Sequence, residues 1–244
     1  MAIESLLLFL ALALLAEILG TVGGFGSSLF FVPIAGYFMG FHSVLAVTAL
    51  FHVSSNLVKI VIFRNGFDRN LVLKVGIPAV IFVLLGAYLT RFLNTGTLEI
   101  ILAVFLILLS ATFFIFENVK IKPTTGNAIG GGILSGFLAG LVGTGGAIRG
   151  LTLAAYNLDK MTFIATSAVI DLGIDASRSF AYYFNGYVKQ DILYLIPLLM
   201  IVSFIGTYTG KKILDHVSEK LFRGIVLGLV FVTGVFTLYN FVRN

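Results

Sequence analysis

The chain has 244 residues, of which 59% are hydrophobic and only 11% are charged. Soluble domains carry about 25% charged residues, so this chain has too few charges to cover a water-facing surface of its size. Together with a mean hydropathy of +1.07, the composition excludes an ordinary soluble domain and places the chain in a lipid bilayer.

The net charge of +5 does not indicate a protein that binds nucleic acid. Most of the 16 Lys and Arg residues stand singly or in pairs at the ends of apolar runs, which is typical of membrane orientation. The chain contains no Cys, which excludes disulfides, thiolate metal sites and cysteine nucleophiles. We therefore expect no nucleic-acid partner, no metal and no other cofactor.

Apolar segments separated by polar breaks follow one another along the chain. A bilayer core of roughly 30 Å requires about 20 helical residues, and most segments are long enough. The first segment lacks the basic start of a cleaved signal peptide, so we interpret it as a retained helix. The predicted segments span residues 2–20, 26–40, 43–63, 70–90, 98–116, 127–142, 146–157, 161–184, 191–209 and 221–241.

Three of these segments, 26–40, 127–142 and 146–157, are short for a full crossing. Glycine clusters beside them allow helices to break at membrane depth, which is tolerated only where the irregular backbone lines a cavity. The sequence leaves open whether segments 26–40 and 146–157 cross the bilayer fully or are re-entrant.

The sequence repeats itself at an offset of 120 residues without a gap. We therefore predict a first transmembrane repeat over residues 1–119 and a second over 120–244, with five hydrophobic segments in each. The identical pairs are Gly20 and Gly140, Val22 and Val142, Gly23 and Gly143, Gly26 and Gly146, Asn65 and Asn185, Gly66 and Gly186, Gly86 and Gly206, Tyr88 and Tyr208, and Glu99 and Glu219.

The basic residues indicate how the two repeats are oriented. If each repeat crosses the bilayer an odd number of times, eleven basic residues, Lys59 among them, fall on one side and three on the other, whereas an even number gives eight against six. The positive-inside rule favours the uneven split. The predicted fold is therefore an all-α polytopic protein of the cell membrane with inverted repeats, both termini outside and the loop at Lys120 in the cytoplasm.

Each charged residue inside an apolar segment makes the free energy of membrane insertion less favourable by about 2.5 to 3.5 kcal/mol on insertion scales. Such a residue therefore indicates a functional or structural role. Asp171, Asp175 and Arg178 are spaced at i, i+4 and i+7 and share one helical face. Their counterparts in the first repeat are uncharged, which predicts one site rather than two. Asp171 has no obvious partner on its helix and is a candidate for proton coupling. Asp175 and Arg178 either contact the substrate or only hold helices together.

A glycine-rich break precedes Arg149 and has a counterpart in the first repeat. A helix that begins after such a break offers free amides and its positive dipole end to an anion, and a guanidinium adds a bidentate donor. The alternative is that the glycines only permit close packing. The predicted substrate-binding residues of the two breaks are Gly23, Gly24, Gly26, Ser27, Ser28, Gly143, Thr144, Gly145, Gly146 and Arg149.

Other polar side chains lie in the first repeat. His52, Ser55 and Asn56 occupy the segment that corresponds to the Asp171 helix, and we predict that they line the same site. A lone His is also a common packing residue. Glu17 lies three residues before Gly20 and either carries a coupling proton or hydrogen-bonds the backbone at the break.

Signatures of enzymes are absent from the sequence. It has no zinc-binding His-Glu-x-x-His run and no P-loop. Asp171 and Asp175 lie on one helix, so they do not form the two-helix carboxylate pair of an intramembrane aspartyl protease. We expect no enzymatic activity.

The glycine-rich breaks and the charged residues that follow the second one resemble the TauE/SafE family, also called the sulfite exporter family. The resemblance rests on residues 20–33, on the run 140–150, on Ala165-Thr-Ser and on Asp175-Ala-Ser-Arg178, and it spans essentially the whole chain. It implies the movement of sulfite, sulfonates and related organic anions across the cytoplasmic membrane.

These observations together predict a secondary transporter of a small organic or sulfur-containing anion, with alternating access and with protons as one option for coupling. The alternatives are a channel, a carrier for a cation or a neutral metabolite, and a membrane protein without transport activity. The expected partners are the small anion and the lipid bilayer. The sequence leaves the oligomeric state open.

Overall fold

The computed structural model describes residues 1–24, 26–63, 66–115 and 121–214, and in addition residues 231, 235, 238 and 239. The predicted segment 221–241 therefore lies outside the described residues except at single positions, and so do Asn65, Lys120 and Glu219. Within the described ranges the secondary structure is helical throughout, without a strand. Helices are the expected form because hydrocarbon offers no partner to an unpaired backbone group.

The helices follow the predicted segments closely. Six of them, all within the described ranges, are long and apolar enough to span a membrane, namely α1, α3, α4, α5, α6 and α9. In chain order the helices are α1 Ile3–Gly23, α2 Ser28–Gly36, α3 Phe41–Ile62, α4 Arg69–Phe92, α5 Thr95–Ile115, α6 Thr125–Val142, α7 Gly146–Ala154, α8 Lys160–Phe184 and α9 Leu195–Leu214.

The prediction of short segments is correct for α2 and α7, which have nine residues each. It is wrong for segment 127–142, because α6 has 18 residues and can span the membrane. The helix begins earlier than the apolar run does. The hydroxyl of Thr124 accepts a hydrogen bond from the amide of Asn127 at 3.2 Å, and this cap adds polar residues to the first turn.

The two short helices fold back from the long helices that precede them. Phe31 of α2 and Phe38 just beyond it pack on Phe9 of α1, with ring centroids 5.7 and 5.2 Å apart. The turns are made at Gly24 and Gly143, whose φ angles of 68° and 82° lie in the left-handed region that ends helices. Each glycine break therefore reverses the chain and starts a half-length helix.

Glycines four residues apart on α6 pack directly on the backbone of α4. A Cβ at any of them would collide with a carbonyl oxygen of α4. The pairs in contact are Gly132 with Val75, Gly136 with Ala79, and Gly140 with Val83. Because the residue numbers rise together, α4 and α6 run in the same direction, and small residues permit this close approach in a membrane.

Helix α9 runs in the same direction as α1 and α3. Gly206 lies against Glu17 and Gly210 against Thr21, in the same order on both helices. Farther along α9, Lys211 donates to the carbonyl of Ile62, the last residue of α3, at 3.1 Å. Helix α8, which carries the charged face predicted above, packs between α3 and α4.

The contact between α4 and α6 gives a first testable prediction. Gly136→Ala should destabilise the protein by about 1 to 3 kcal/mol, because the added methyl group overpacks a contact without free space. Gly130→Ala on the same helix is the control, since nothing lies within 4 Å of its Cβ position. Thermal unfolding of the purified variants in detergent measures the difference, and equal unfolding temperatures would contradict the packing.

Candidate functional site

The two glycine breaks meet in the interior of the protein. The hydroxyl of Ser28 at the start of α2 and that of Thr144 in the second break are 3.1 Å apart, and both residues are buried. The structure thus brings together two backbone turns that lie 116 residues apart in the chain. The sequence analysis predicted substrate-binding residues in both breaks, and the structure places the two breaks in contact.

A small cavity lies where the breaks meet. Most of the predicted site residues line it, whereas Gly23, Gly24, Ser27, Ser55, Thr144 and Glu17 do not. The lining residues are Gly26, Ser28, His52, Asn56, Lys59, Ala139, Gly143, Gly145, Gly146, Arg149, Asp171, Ile174, Asp175 and Arg178.

Arg149 lies in the first turn of α7, immediately after the second break. It is 2% exposed, and its Nε donates to the hydroxyl of Ser167 at 3.1 Å. Its Nη1 pairs with the carboxylate of Asp171 on α8. Asp171 therefore has a cation partner, which the sequence pattern on its own helix did not reveal. The guanidinium also faces the first break, with Nη2 3.8 Å from the Cβ position of Gly26.

Arg178 holds the second break in place. Its Nη1 donates to the carbonyls of Ala139 and Gly143 at 3.0 and 2.7 Å, which satisfies the end of α6. Its Nε and Nη2 bind Asp175 at 2.8 and 2.7 Å. Asn56 of α3 donates to the other carboxylate oxygen of Asp175 at 2.7 Å. These contacts position the break, while Arg178 and Asp175 still line the cavity.

Glu17 is completely buried behind the cavity and binds side chains rather than the backbone of the break. Lys59 of α3 pairs with it at 2.8 Å. The hydroxyls that donate to its carboxylate are those of Ser27 at 2.5 Å, Ser55 at 2.5 Å, Thr207 at 3.0 Å and Thr21 at 3.4 Å. The carboxylate therefore connects α1, α3, α9 and the first break.

His52 of α3 lies between this cluster and the cavity. Its Nδ1 is 2.8 Å from the carbonyl oxygen of Thr48, and its Nε2 is 2.7 Å from the hydroxyl of Ser27. The ring also contacts Phe31 and Phe51. Its environment is thus polar at both nitrogens and aromatic on its sides.

Lys59 is a site residue that the sequence analysis missed. The sequence analysis counted it with the basic residues of one side of the bilayer, although the predicted segment 43–63 contains it. It lies within α3, 6% exposed, and lines the cavity. The sequence spacing could have indicated that Lys59 belongs to the site. Lys59 follows Ser55 by four residues and His52 by seven, so it shares their helical face.

The charges around the cavity balance one another. Among the described residues, the three buried cations Lys59, Arg149 and Arg178 each pair with one carboxylate. Their partners are Glu17, Asp171 and Asp175. A buried pair with hydrogen bonds to its remaining atoms avoids most of the cost of an isolated charge, so the arrangement is stable when the cavity holds no ligand.

A second small cavity adjoins the first. Gly26, Asn56, Lys59 and Asp171 line both. The second cavity also touches Gly24, which follows α1, and Ile164, near the start of α8. It therefore extends from the charged site towards the side of the protein on which α1 ends and α8 begins.

Membrane-spanning apolar helices around a charged interior cavity define the class of multi-pass membrane transporters. Residues 9–237 match the family described as "Sulfite exporter TauE/SafE", and the chain belongs to this family. It is similar to a protein of Methanocaldococcus jannaschii named as a probable membrane transporter protein, with 26% identity over 263 residues, 95% of this chain and 94% of the relative. No solved structure is significantly similar to it.

Proposed function

We propose that the protein is a secondary transporter of a small organic or sulfur-containing anion, of the sulfite, sulfonate or carboxylate type, that works by alternating access. The observation that carries this proposal is the buried guanidinium of Arg149 at a helix start, in the cavity where the two breaks meet. Free amides and a guanidinium together suit an oxyanion. The family name, which refers to sulfite export, supports the same class of substrate.

The anion would bind between the two breaks. Arg149 contacts it directly, and the backbone of Gly26, Gly145 and Gly146 lines the cavity beside it. The hydroxyl of Ser28 offers a further donor. Residues that line one of the two cavities, or that contact a lining residue or Glu17, complete the proposed site, namely Gly24, Ser27, His52, Ser55, Asn56, Gly143, Thr144, Asp175 and Arg178. Gly23, which directly precedes Gly24 in the first break, is included in the proposal on its position in the sequence.

Alternating access would arise from two inverted repeats, 1–119 and 120–244. Supporting this, α1, α3 and α9 run in one direction. Helix α8 runs with α4, since Gly76 lies against Ile170 and Gly173 against Val80. It runs opposite to α3, since Asn56 binds Asp175 and Phe63 clusters with Ile164. Helix α6 runs with α4 and therefore opposite to α1, its counterpart in the first repeat. The contact of Gly86 with Phe137 also has a counterpart at the 120-residue offset, between Gly206 and Glu17. The proposed location is the cell membrane, with both termini outside.

We assign proton coupling to Asp171 and Glu17. Each is the carboxylate partner of a cation that lines the cavity. Asp171 pairs with Arg149, and Glu17 pairs with Lys59. Because the described cations and carboxylates cancel, an entering anion would add an uncompensated negative charge, which is costly in a low-dielectric interior. A proton on either carboxylate would remove that cost and free a cation for the anion.

Flux measurements in proteoliposomes test the function. An inward proton gradient should drive uphill uptake of sulfite or a simple sulfonate, and dissipating the gradient with an ionophore should stop it. Empty liposomes give the background. Downhill movement that never becomes uphill would indicate a channel instead, and a failure to move any anion would contradict the proposal.

A further inference from the structure

Three hydrogen bonds connect Thr48, His52, Ser27 and Glu17 in a line. Nδ1 of His52 lies 2.8 Å from the carbonyl oxygen of Thr48, Nε2 lies 2.7 Å from the Ser27 hydroxyl, and that hydroxyl lies 2.5 Å from Oε2 of Glu17. Ser27 and Glu17 are fully buried, and His52 is 4% exposed.

These three hydrogen bonds need more hydrogen atoms than His52, Ser27 and Glu17 supply in their ordinary protonation states. The carbonyl of Thr48 can only accept, so Nδ1 carries one hydrogen. A neutral His52 then accepts at Nε2, and the single hydrogen of Ser27 cannot serve both Nε2 and a Glu17 carboxylate. Three bonds require three hydrogens, whereas neutral His, Ser and ionised Glu contribute only two.

We infer that His52, Ser27 and Glu17 together hold one exchangeable proton, and that this proton binds and leaves with the transported anion. The proton resides either on Nε2 of His52 or on Oε2 of Glu17, and the Ser27 hydroxyl reorients between the two arrangements. This triad deepens the proposed function, on which its role in transport rests, because it specifies where the coupling proton is held.

The charges that face the triad explain why the proton and the anion belong together. Lys59 of α3 pairs with Glu17, and Arg178 of α8, Arg149 of α7 and the two aspartates of α8 share the cavity with His52. These described charges sum to zero with Glu17 ionised, so the triad's proton gives the site one net positive charge. A monovalent anion neutralises that charge, and losing the proton weakens its binding.

A first experiment tests whether the triad holds the extra proton in the absence of any anion. The chain has three histidines, and His52→Gln identifies the signal of His52 in ¹⁵N-histidine NMR spectra. Near neutral pH the wild-type protein should show either a doubly protonated His52 or the infrared band of a protonated Glu17. Ser27→Ala, a small change that removes only the bridge, should abolish that state. Its absence from the wild type, or its persistence in Ser27→Ala, would overturn the inference.

A second experiment counts protons when the anion binds. Calorimetric titration with methanesulfonate, which does not titrate in this range, is done at a pH above that at which the anion-free triad loses its proton. In buffers of different ionisation enthalpy it should give about one proton taken up per anion. The Kd should rise about tenfold per pH unit in the range where the triad loses its proton. Ser27→Ala and His52→Gln should bind with no uptake and a flat pH profile.

The control for this count is His42→Gln, the same substitution on the same helix. His42 stacks on Tyr187 and does not line the cavity, so one proton per anion should still be taken up. Methanesulfonate binding without proton uptake by the wild type would overturn the triad's role and leave the transporter proposal intact. Conversely, a protonated triad in a protein that binds no anion would support the triad as a proton site and refute the anion assignment.

Discussion

Arg149→Leu is expected to abolish anion flux in proteoliposomes. Truncating one partner of a buried, hydrogen-bonded charge pair costs about 2 to 5 kcal/mol. At 1.4 kcal/mol per tenfold change, the loss corresponds to a decrease in flux of about 30-fold to about 4,000-fold. Initial rates of labelled sulfite uptake, normalised to the amount of reconstituted protein, measure the effect.

Two further variants separate binding from folding. Arg149→Leu leaves Asp171 without its cation, so the double variant with Asp171→Asn removes the stranded charge while keeping Arg149 absent. It should fold as well as the wild type and remain inactive. Arg149→Lys keeps the charge but loses the planar bidentate donor, and an intermediate rate is expected.

The matched control is Arg91→Leu. Arg91 is exposed, lies at the end of α4 over the ring of Tyr88, and is outside the cavity. Its removal should leave the rate within about twofold of the wild type, since surface substitutions have small effects. Equal rates in the Arg91 and Arg149 variants would show that the guanidinium of Arg149 does not bind the transported anion.

The helices and the breaks could be predicted because their signals are local. Apolar length and glycine clusters are properties of a few neighbouring residues, and they gave α2 and α7 as half-length helices. Segment 127–142 was judged too short because hydropathy does not count the capped polar turn that begins at Thr125. That the two breaks meet, as Ser28 and Thr144 do, could be predicted only by comparing the two repeats.

The ion pairs of the site could be predicted only in part. Arg178 and Asp175 are three residues apart on one helix, so their pairing follows from helical spacing. Asp171 and Arg149 lie on different helices, and nothing in the spacing indicates their contact. Lys59 was counted for orientation only, because it lies near the end of the predicted segment 43–63 and close to Arg64. Its partner Glu17 is 42 residues away in the sequence, and only the packing of α1 and α3 on α9 brings them together.

Lys59→Met is expected to have the largest effect on stability. It leaves the fully buried carboxylate of Glu17 without its cation, and breaking a buried pair in this way costs about 3 to 5 kcal/mol. The free energy of unfolding, obtained by titrating mixed micelles with a denaturing detergent, measures this loss. Lys122→Met is the control, because Lys122 is exposed and its substitution should change the free energy by less than about 0.5 kcal/mol.

The double variant Lys59→Met with Glu17→Gln identifies the cause. It carries no buried charge at either position, so most of the lost stability should return, and an unchanged deficit would contradict the ion pair as its origin. Proton-driven flux should nevertheless stay low, because the amide that replaces the Glu17 carboxylate cannot hold a proton with Ser27 and His52. A double variant that regained both stability and uphill flux would show that Lys59 and Glu17 have only a structural role. Proton coupling would then be assigned to Asp171 alone.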